Sequence, residues 1–167
     1  MLIAFLLFIY AFVPESESVG MRKPAGCDFF TRENATRILG GDVTWTGTDA
    51  TDSEPKKWTC TFVSKEVADG PKIYFALHRF TSADTARGEF DTIVQSNKNN
   101  AGFEKWQGVG DDAIVHSDGS NFQFVMVRKG IRSFRIKVNP AGSTSLENVK
   151  QVAESLVRKI EEMGGGE

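Results

Sequence analysis

Apolar and polar positions along this chain repeat with two periods, and each change of period marks a change of element. Thr31 opens a helix through Leu39 with Ala35, Ile38 and Leu39 as its apolar stripe, and Gly40-Gly41 ends it. Residues 46–57 are rich in Thr, Asp, Ser and Gly with Pro55, and read as an exposed loop. From Lys57 to Ser64 the pattern alternates, placing Trp58, Cys60 and Phe62 on one face of a strand. Asp69-Gly70-Pro71 is a turn. The next strand, Lys72 to Phe80, is apolar on both faces: Ile73, Phe75 and Leu77 on one, Tyr74, Ala76 and Phe80 on the other. That predicts a strand covered on both sides. Ser82 caps a second helix with the stripe Ala83, Ala86, Phe90, Ile93 and Val94.

The second half reads as strands. Residues 103–107, 112–117, 121–128 and 131–139 are the segments, with Asp118-Gly119 and Lys129-Gly130 as hairpin turns. In the last strand Phe134, Ile136 and Val138 face inward, and Ser133, Arg135 and Lys137 read as a solvated face. Asn139-Pro140-Ala141-Gly142 breaks the chain. Thr144 and Glu147 then form a capping box for a final helix carrying Leu146, Val149, Val152, Ala153, Leu156 and Ile160. Short hairpins make the sheet mostly antiparallel, and amphipathic helices must bury their stripes on it. The expected class is α+β, a mostly antiparallel β-sheet packed between helices.

Before all of this stands LIAFLLFIYAFV, Leu2 to Val13. The run is short for a bilayer span and suited to the apolar core of a secretory signal. Ser16-Glu17-Ser18 offers small residues for cleavage before Val19. The expected organisation is a signal peptide over residues 1–18, a linker over 19–26, a single domain over 27–163 and a loose tail over 164–167. No Lys or Arg precedes the apolar run, so the alternatives are a start further upstream, or one at Met21 that would leave the protein in the cytoplasm. Export to the periplasm, the cell envelope or the medium is the leading expectation.

Composition sharpens the picture at three points. Cys27 and Cys60 are the only cysteines, and an even count in an exported chain reads as a disulfide. Ala25-Gly26-Cys27 also resembles the end of a lipobox, but Pro24 stands where Leu is wanted. A membrane tie is thus expected only through an uncleaved signal or, second to that, a lipid on Cys27. Thirteen Phe beside two Tyr predict a Phe-rich core. The 22 acidic residues include Glu15 and Glu17 of the leader, so the mature domain balances 20 against 20 and carries no electrostatic footprint for nucleic acid.

Candidate chemistry is sparse. Gly108-Val109-Gly110-Asp111-Asp112-Ala113 matches the dinucleotide fingerprint, but a strand pattern follows where the fingerprint needs a helix. Glycines and aspartates there read as a tight turn. As neighbours in an extended segment, Asp111 and Asp112 point to opposite faces and are not expected to share one ion. His78 and His116 are the only histidines. An Asp111–His116 pair is conceivable, without an activated nucleophile beside it. No metal and no cofactor is expected. Trp45, beside the polar loop, and Trp106, before the glycine turn, are candidate anchors for a ligand or partner. The candidate binding residues are therefore Trp45, Trp106, Asp111, Asp112 and His116.

Three stretches carry a resemblance: Cys27-Asp-Phe-Phe-Thr31-Arg-Glu33 through Ile38-Leu39-Gly40, then Trp58-Thr-Cys60-Thr-Phe62, then Gly108-Val-Gly-Asp-Asp-Ala113. Together they resemble small exported bacterial proteins and lipoproteins of the DUF3558 type, whose architecture is related to the Mog1/PsbP-like fold. The resemblance implies that fold and a Cys27–Cys60 disulfide, and supplies no catalytic set. The expected function is a non-enzymatic binding or accessory module for a protein or small molecule outside the cytoplasm. The alternatives are a hydrolase with dispersed residues and a structural partner in a cell-envelope assembly.

Overall fold

The computed structural model describes residues 25–51, 53–67, 69–142 and 144–164; the expected signal peptide, most of the linker and the last residues of the tail lie outside them. In chain order the elements are helices α1 (Ala25–Phe29) and α2 (Arg32–Leu39), strands β1 (Val43–Thr51), β2 (Lys56–Ser64) and β3 (Lys72–Arg79), helix α3 (Ala83–Asn97), strands β4 (Phe103–Trp106), β5 (Asp112–Asp118), β6 (Phe122–Lys129) and β7 (Arg132–Asn139), and helix α4 (Leu146–Gly164). The strands form one antiparallel sheet ordered β1-β2-β3-β7-β6-β5-β4. Two meanders thus meet where β7 pairs with β3. The α+β class stands, with helices on both faces.

The inner face is closed by α1, α2 and α4. Phe30 stacks on Phe75 with ring centroids 4.6 Å apart and lies 5.7 Å from Phe62, while Phe75 touches Phe134 at 6.3 Å. These four rings are sealed from solvent. Truncating one, as in Phe75→Ala, costs about 3–5 kcal/mol in such a core. The Cys27–Cys60 disulfide, Cα–Cα 5.8 Å, clamps α1 to β2 on the same side. Cys60 sits in the inward row with Phe62, as its alternation requires. The Thr31 cap is present: its side chain accepts from the Asn34 amide, Asn34 reaches back to the Thr31 amide, and Gly40 ends α2 at φ 77°.

The outer face carries α3, capped by Ser82, whose Phe90 and Val94 pack on Ile114 of β5 and Met126 of β6. This helix covers β5, β6, part of β7 and the His78 end of β3, and leaves the outer face of β2 and of β3 around Tyr74 open.

Four local expectations are corrected. The stretch 46–57 is not one loop: β1 runs to Thr51 and β2 starts at Lys56. Thr favours strands, and an edge strand pairing only with β2 needs no apolar alternation. β3 is covered on both sides only towards its end, where His78 and Phe80 are buried, while Tyr74 is 45% exposed. The β7 face of Ser133, Arg135 and Lys137 is not simply solvated, because α3 buries Ser133 completely and Arg135 in part. Finally, α4 starts at Leu146, so Ser145 rather than Thr144 precedes it, and the Glu147 side chain accepts from Gln151 instead of closing a box.

Candidate ligand-binding groove

The residues singled out in the sequence do not form one site. Trp45 lies on β1 at a bulge between Trp45 and Gly47, half-buried against Phe62, with its indole Nε1 buried and without a hydrogen-bond partner. Trp106, on β4, packs partly into the core near the opposite edge of the sheet, with the Lys150 ammonium 5.9 Å from the ring centroid. Both indoles are more core plug than exposed anchor.

Asp111 and Asp112 act together, against expectation, on a cation of the chain itself. Arg128 is nearly sealed from solvent. Its Nε and Nη2 donate to Asp112 Oδ2 at 2.8 and 2.5 Å, and its Nη1 donates to Asp111 Oδ2 at 3.0 Å. Asp111 precedes β5 in the turn, so the alternation of an extended strand does not separate it from Asp112, and the guanidinium fork meets both carboxylates. The Gly130 amide also donates to Asp111, at 2.8 Å. Burial raises the Asp111 pKa, but the Gly130 amide, Arg128 and Lys129 outweigh it and hold the carboxyl below its ordinary value. Gly108 and Gly110 adopt positive φ, and a Cβ on Gly110 would lie 2.5 Å from the Arg128 carbonyl. The segment runs into β5, not a helix, so the fingerprint is a structural turn.

His116 is far from Asp111: they are five residues apart along a strand, about 16 Å at the usual rise. His116 instead sets its ring edge-on to Phe122, centroids 5.0 Å apart, on the outer face. There it borders a groove that the sequence reading did not assemble.

The groove runs over the sheet beside α3, in two halves. One half, of about 340 Å³, lies over β2, β3 and β7, bordered by Lys57, Tyr74, His78, Arg135 and Lys137. The other, of about 360 Å³, lies between the end of α3 and β5–β6, bordered by Ile93, Asn97, His116, Phe122 and Phe124. Phe124, Arg135 and Lys137 border both. Strand register explains the assembly: Tyr74 and Phe124 each pair with Lys137, Ala76 pairs with Arg135, and Lys57 pairs with His78.

Under the first half lies a polar cluster with unmet hydrogen-bonding capacity. Arg135 ion-pairs with Glu89 of α3, and His78 Nδ1 lies 3.6 Å from the same carboxylate. Yet both His78 nitrogens, Glu89 Oε2, Ser133 Oγ and Arg135 Nε are buried without a hydrogen-bond partner. They are five of the seven such side-chain atoms among the described residues. Desolvation and the neighbouring Arg135 cation lower the His78 pKa below its ordinary value, against the pull of Glu89, so the ring is neutral at pH 7. Ser133, His78 and Glu89 have the residue types of a hydrolytic triad, but Ser133 is sealed and makes no hydrogen bond to His78.

Among the described residues no group of three or more His, Cys, Asp or Glu is placed to hold a metal, and no helix is long and apolar enough to cross a membrane. With its sulfur in the disulfide, Cys27 has no thiol left for a thioether lipid. No family model matches the chain, so none supports the DUF3558-type resemblance, and no curated protein matches the sequence. Among solved structures, the chain is similar to the extracellular domain of PknH from Mycobacterium tuberculosis. The TM-score is 0.61 at 12% identity, covering 79% of this chain and 92% of that one. At that identity the likeness shows the fold alone.

The signal that could have found the groove is the double-sided pattern of β3. Tyr74 and Ala76 are apolar neighbours on the face opposite the Phe core, and that surface has no helix of its own.

Proposed function

We propose that this chain is an extracytoplasmic binding module and that its ligand lies in the groove beside α3. The cluster of unpartnered atoms around His78 and Arg135 carries the reading. A buried polar group without a partner costs about 1–3 kcal/mol, and in native proteins such groups are few and mark strain, a catalytic role or a place for a water or ion. Each half of the groove falls in the usual size range of small-molecule sites, roughly 300–1,000 Å³. The extracytoplasmic part is supported by the apolar leader, by the disulfide and by the fold shared with an extracellular domain.

The test is a small-molecule screen on the full chain, read by amide chemical shifts. Shifts should cluster at Tyr74, Ala76, Phe124 and Lys137, and Ala76→Trp, which fills the open face, should abolish them. Hits confined to another hollow, such as the one between Phe29 and Lys159, or unaffected by Ala76→Trp, would refute the assignment. Hydrolysis is the second reading, motivated by Ser133 and Glu89 flanking His78. Ester turnover that disappears in Ser133→Ala would replace the binding module with an enzyme.

A further inference from the structure

We infer that the groove takes an amphiphile with an anionic head, a carboxylate or phosphate ester on a linear apolar body. The inference rests on the reading of this groove as the binding site, and follows from how its two halves differ.

The half over β2, β3 and β7 has a surplus of positive charge. Lys57 and Lys137 stand at opposite ends of this half, Lys57 across β2–β3 from His78 and Lys137 across β3–β7 from Tyr74, and neither has an acidic partner among the described residues. Between them Arg135 points its pairing end at Glu89 and keeps Nε unpartnered. No carboxylate lines either half. An anionic head over Ala76 would lie between two ammonium groups, beside a guanidinium that the partly exposed Glu89 carboxylate already partly neutralises. A neutral His78 can add a donor or an acceptor.

The other half has the opposite character. Ile93, Phe122 and Phe124 form its wall, and the His116 ring is held edge-on by Phe122. Asn97 and His116 are its polar members, and its cations stand only at the shared border, Arg135 and Lys137, whose aliphatic stems continue the apolar lining. A free inorganic anion would use only the first half. A neutral hydrocarbon would use only the second and would leave the cations idle. A molecule with a head and a tail uses both, with Phe124 at the junction.

The experiment titrates the full chain with four probes below their micellar concentrations: decanoate, decyl phosphate, decyl maltoside and inorganic phosphate. Amide shifts report where each binds. Decanoate or decyl phosphate should saturate with shifts running from Tyr74 through Phe124 to Ile93. The tighter of the two identifies the head as carboxylate or phosphate. The double variant Lys57→Ala/Lys137→Ala should weaken that binding about tenfold, the loss expected when charge-assisted contacts are removed. Both lysines are exposed, and an unchanged amide spectrum of the unliganded variant shows that its fold is kept.

Decyl maltoside binding the groove as tightly as the anionic probes would overturn the inference while leaving the binding site in place. Inorganic phosphate binding as tightly as decyl phosphate would overturn it in the other direction, since the tail would then be idle. Anionic probes that bind outside the groove would overturn both the inference and the site. No saturable binding by either anionic probe would also end the inference, with Ala76→Trp against other ligands still deciding the site.

Discussion

Two arginines on neighbouring strands divide the labour of this sheet. Arg128 of β6 is the more deeply buried, and its Nε and both Nη atoms all donate to Asp111, Asp112 or the Gly130 carbonyl. Arg135 of β7 is about a quarter exposed, yet it has one ion pair, to Glu89, and a buried Nε with nothing to donate to. A buried charge holds structure together only when its hydrogen-bonding capacity is met. Arg128 meets that condition and is a clasp between β6 and the turn before β5. Arg135 does not, and its surroundings share the deficit. The difference separates a part built to stay shut from a part built to receive something.

The sharpest way to break this comparison is to empty the clasp. Asp111→Ala with Asp112→Ala leaves the Arg128 guanidinium buried without an acid, and should cost about 3–5 kcal/mol. Urea unfolding would show it as a lower midpoint at an unchanged slope. If the variant unfolds like the parent, the two aspartates are free for a ligand and the clasp reading fails.

A smaller effect comes from the pH dependence of the other cluster. The His78 pKa is lowered by burial and by Arg135, so below the ordinary histidine value of about 6.5 the unfolded chain takes up a proton that the native ring refuses. Stability is therefore full above that pH and falls as the pH drops from it towards the lowered native value. His78→Gln should remove this step. A second loss, below about 3.8, belongs to Asp42 and Asp111, whose native pKa values are also lowered, and it should persist in the variant. An acid limb unchanged by His78→Gln would show that the histidine does not sense its cluster.

Smaller again is the cost of dismantling the Arg135 pair. Glu89→Ala with Arg135→Met removes both charges together, and a pair that is imperfectly satisfied should be lost at a cost within about 1 kcal/mol, or with a gain. A loss as large as that from emptying the Arg128 clasp would make Arg135 a clasp as well and erase the distinction.

The sequence announces the turn beside Arg128 but the role of neither arginine, and the limit is one of range. Asp111, Asp112 and the Lys129-Gly130 turn announce a tight turn through local residue types, and the turn is there, with Gly130-Ile131 as its two unpaired residues. The inner face was equally legible. Cys60, Phe62, Phe75 and Phe134 alternate along their strands, and Cys27 closes on Cys60. The outer face was not. Ser133, Arg135 and Lys137 alternate with apolar residues just as a solvated row does, and only the landing place of α3 decides which of them is buried. That landing is a contact between elements distant in sequence, and no local period encodes it. β1 went unread for a related reason. Its residues are mostly polar, with Thr46 and Asp49 exposed at the sheet edge, so the strand lacks the alternation by which strands are recognised. Trp45 and Trp106 fill space at the borders of the core, where the sequence allowed either a plug or an anchor.

The smallest stability effect carries the most weight for function. Lys57 and Lys137 are exposed, hold no ion pair among the described residues and flank the groove. Replacing both with Ala should move the unfolding free energy by no more than about 0.5 kcal/mol, as surface changes away from caps and networks usually do. Removing the Lys57 charge also relaxes repulsion at His78, since the Lys57 ammonium, like Arg135, disfavours the protonated ring. The direction is therefore towards a higher His78 pKa and a weaker acid step than in the parent. Nuclear magnetic resonance titration of the His78 ring checks this without any ligand. An unmoved His78 midpoint would mean that solvent screens Lys57 from the cluster. The contrast between the two arginines would then rest on Arg135 and Glu89 alone, and the positive rim would be a feature of the surface rather than of the site beneath it.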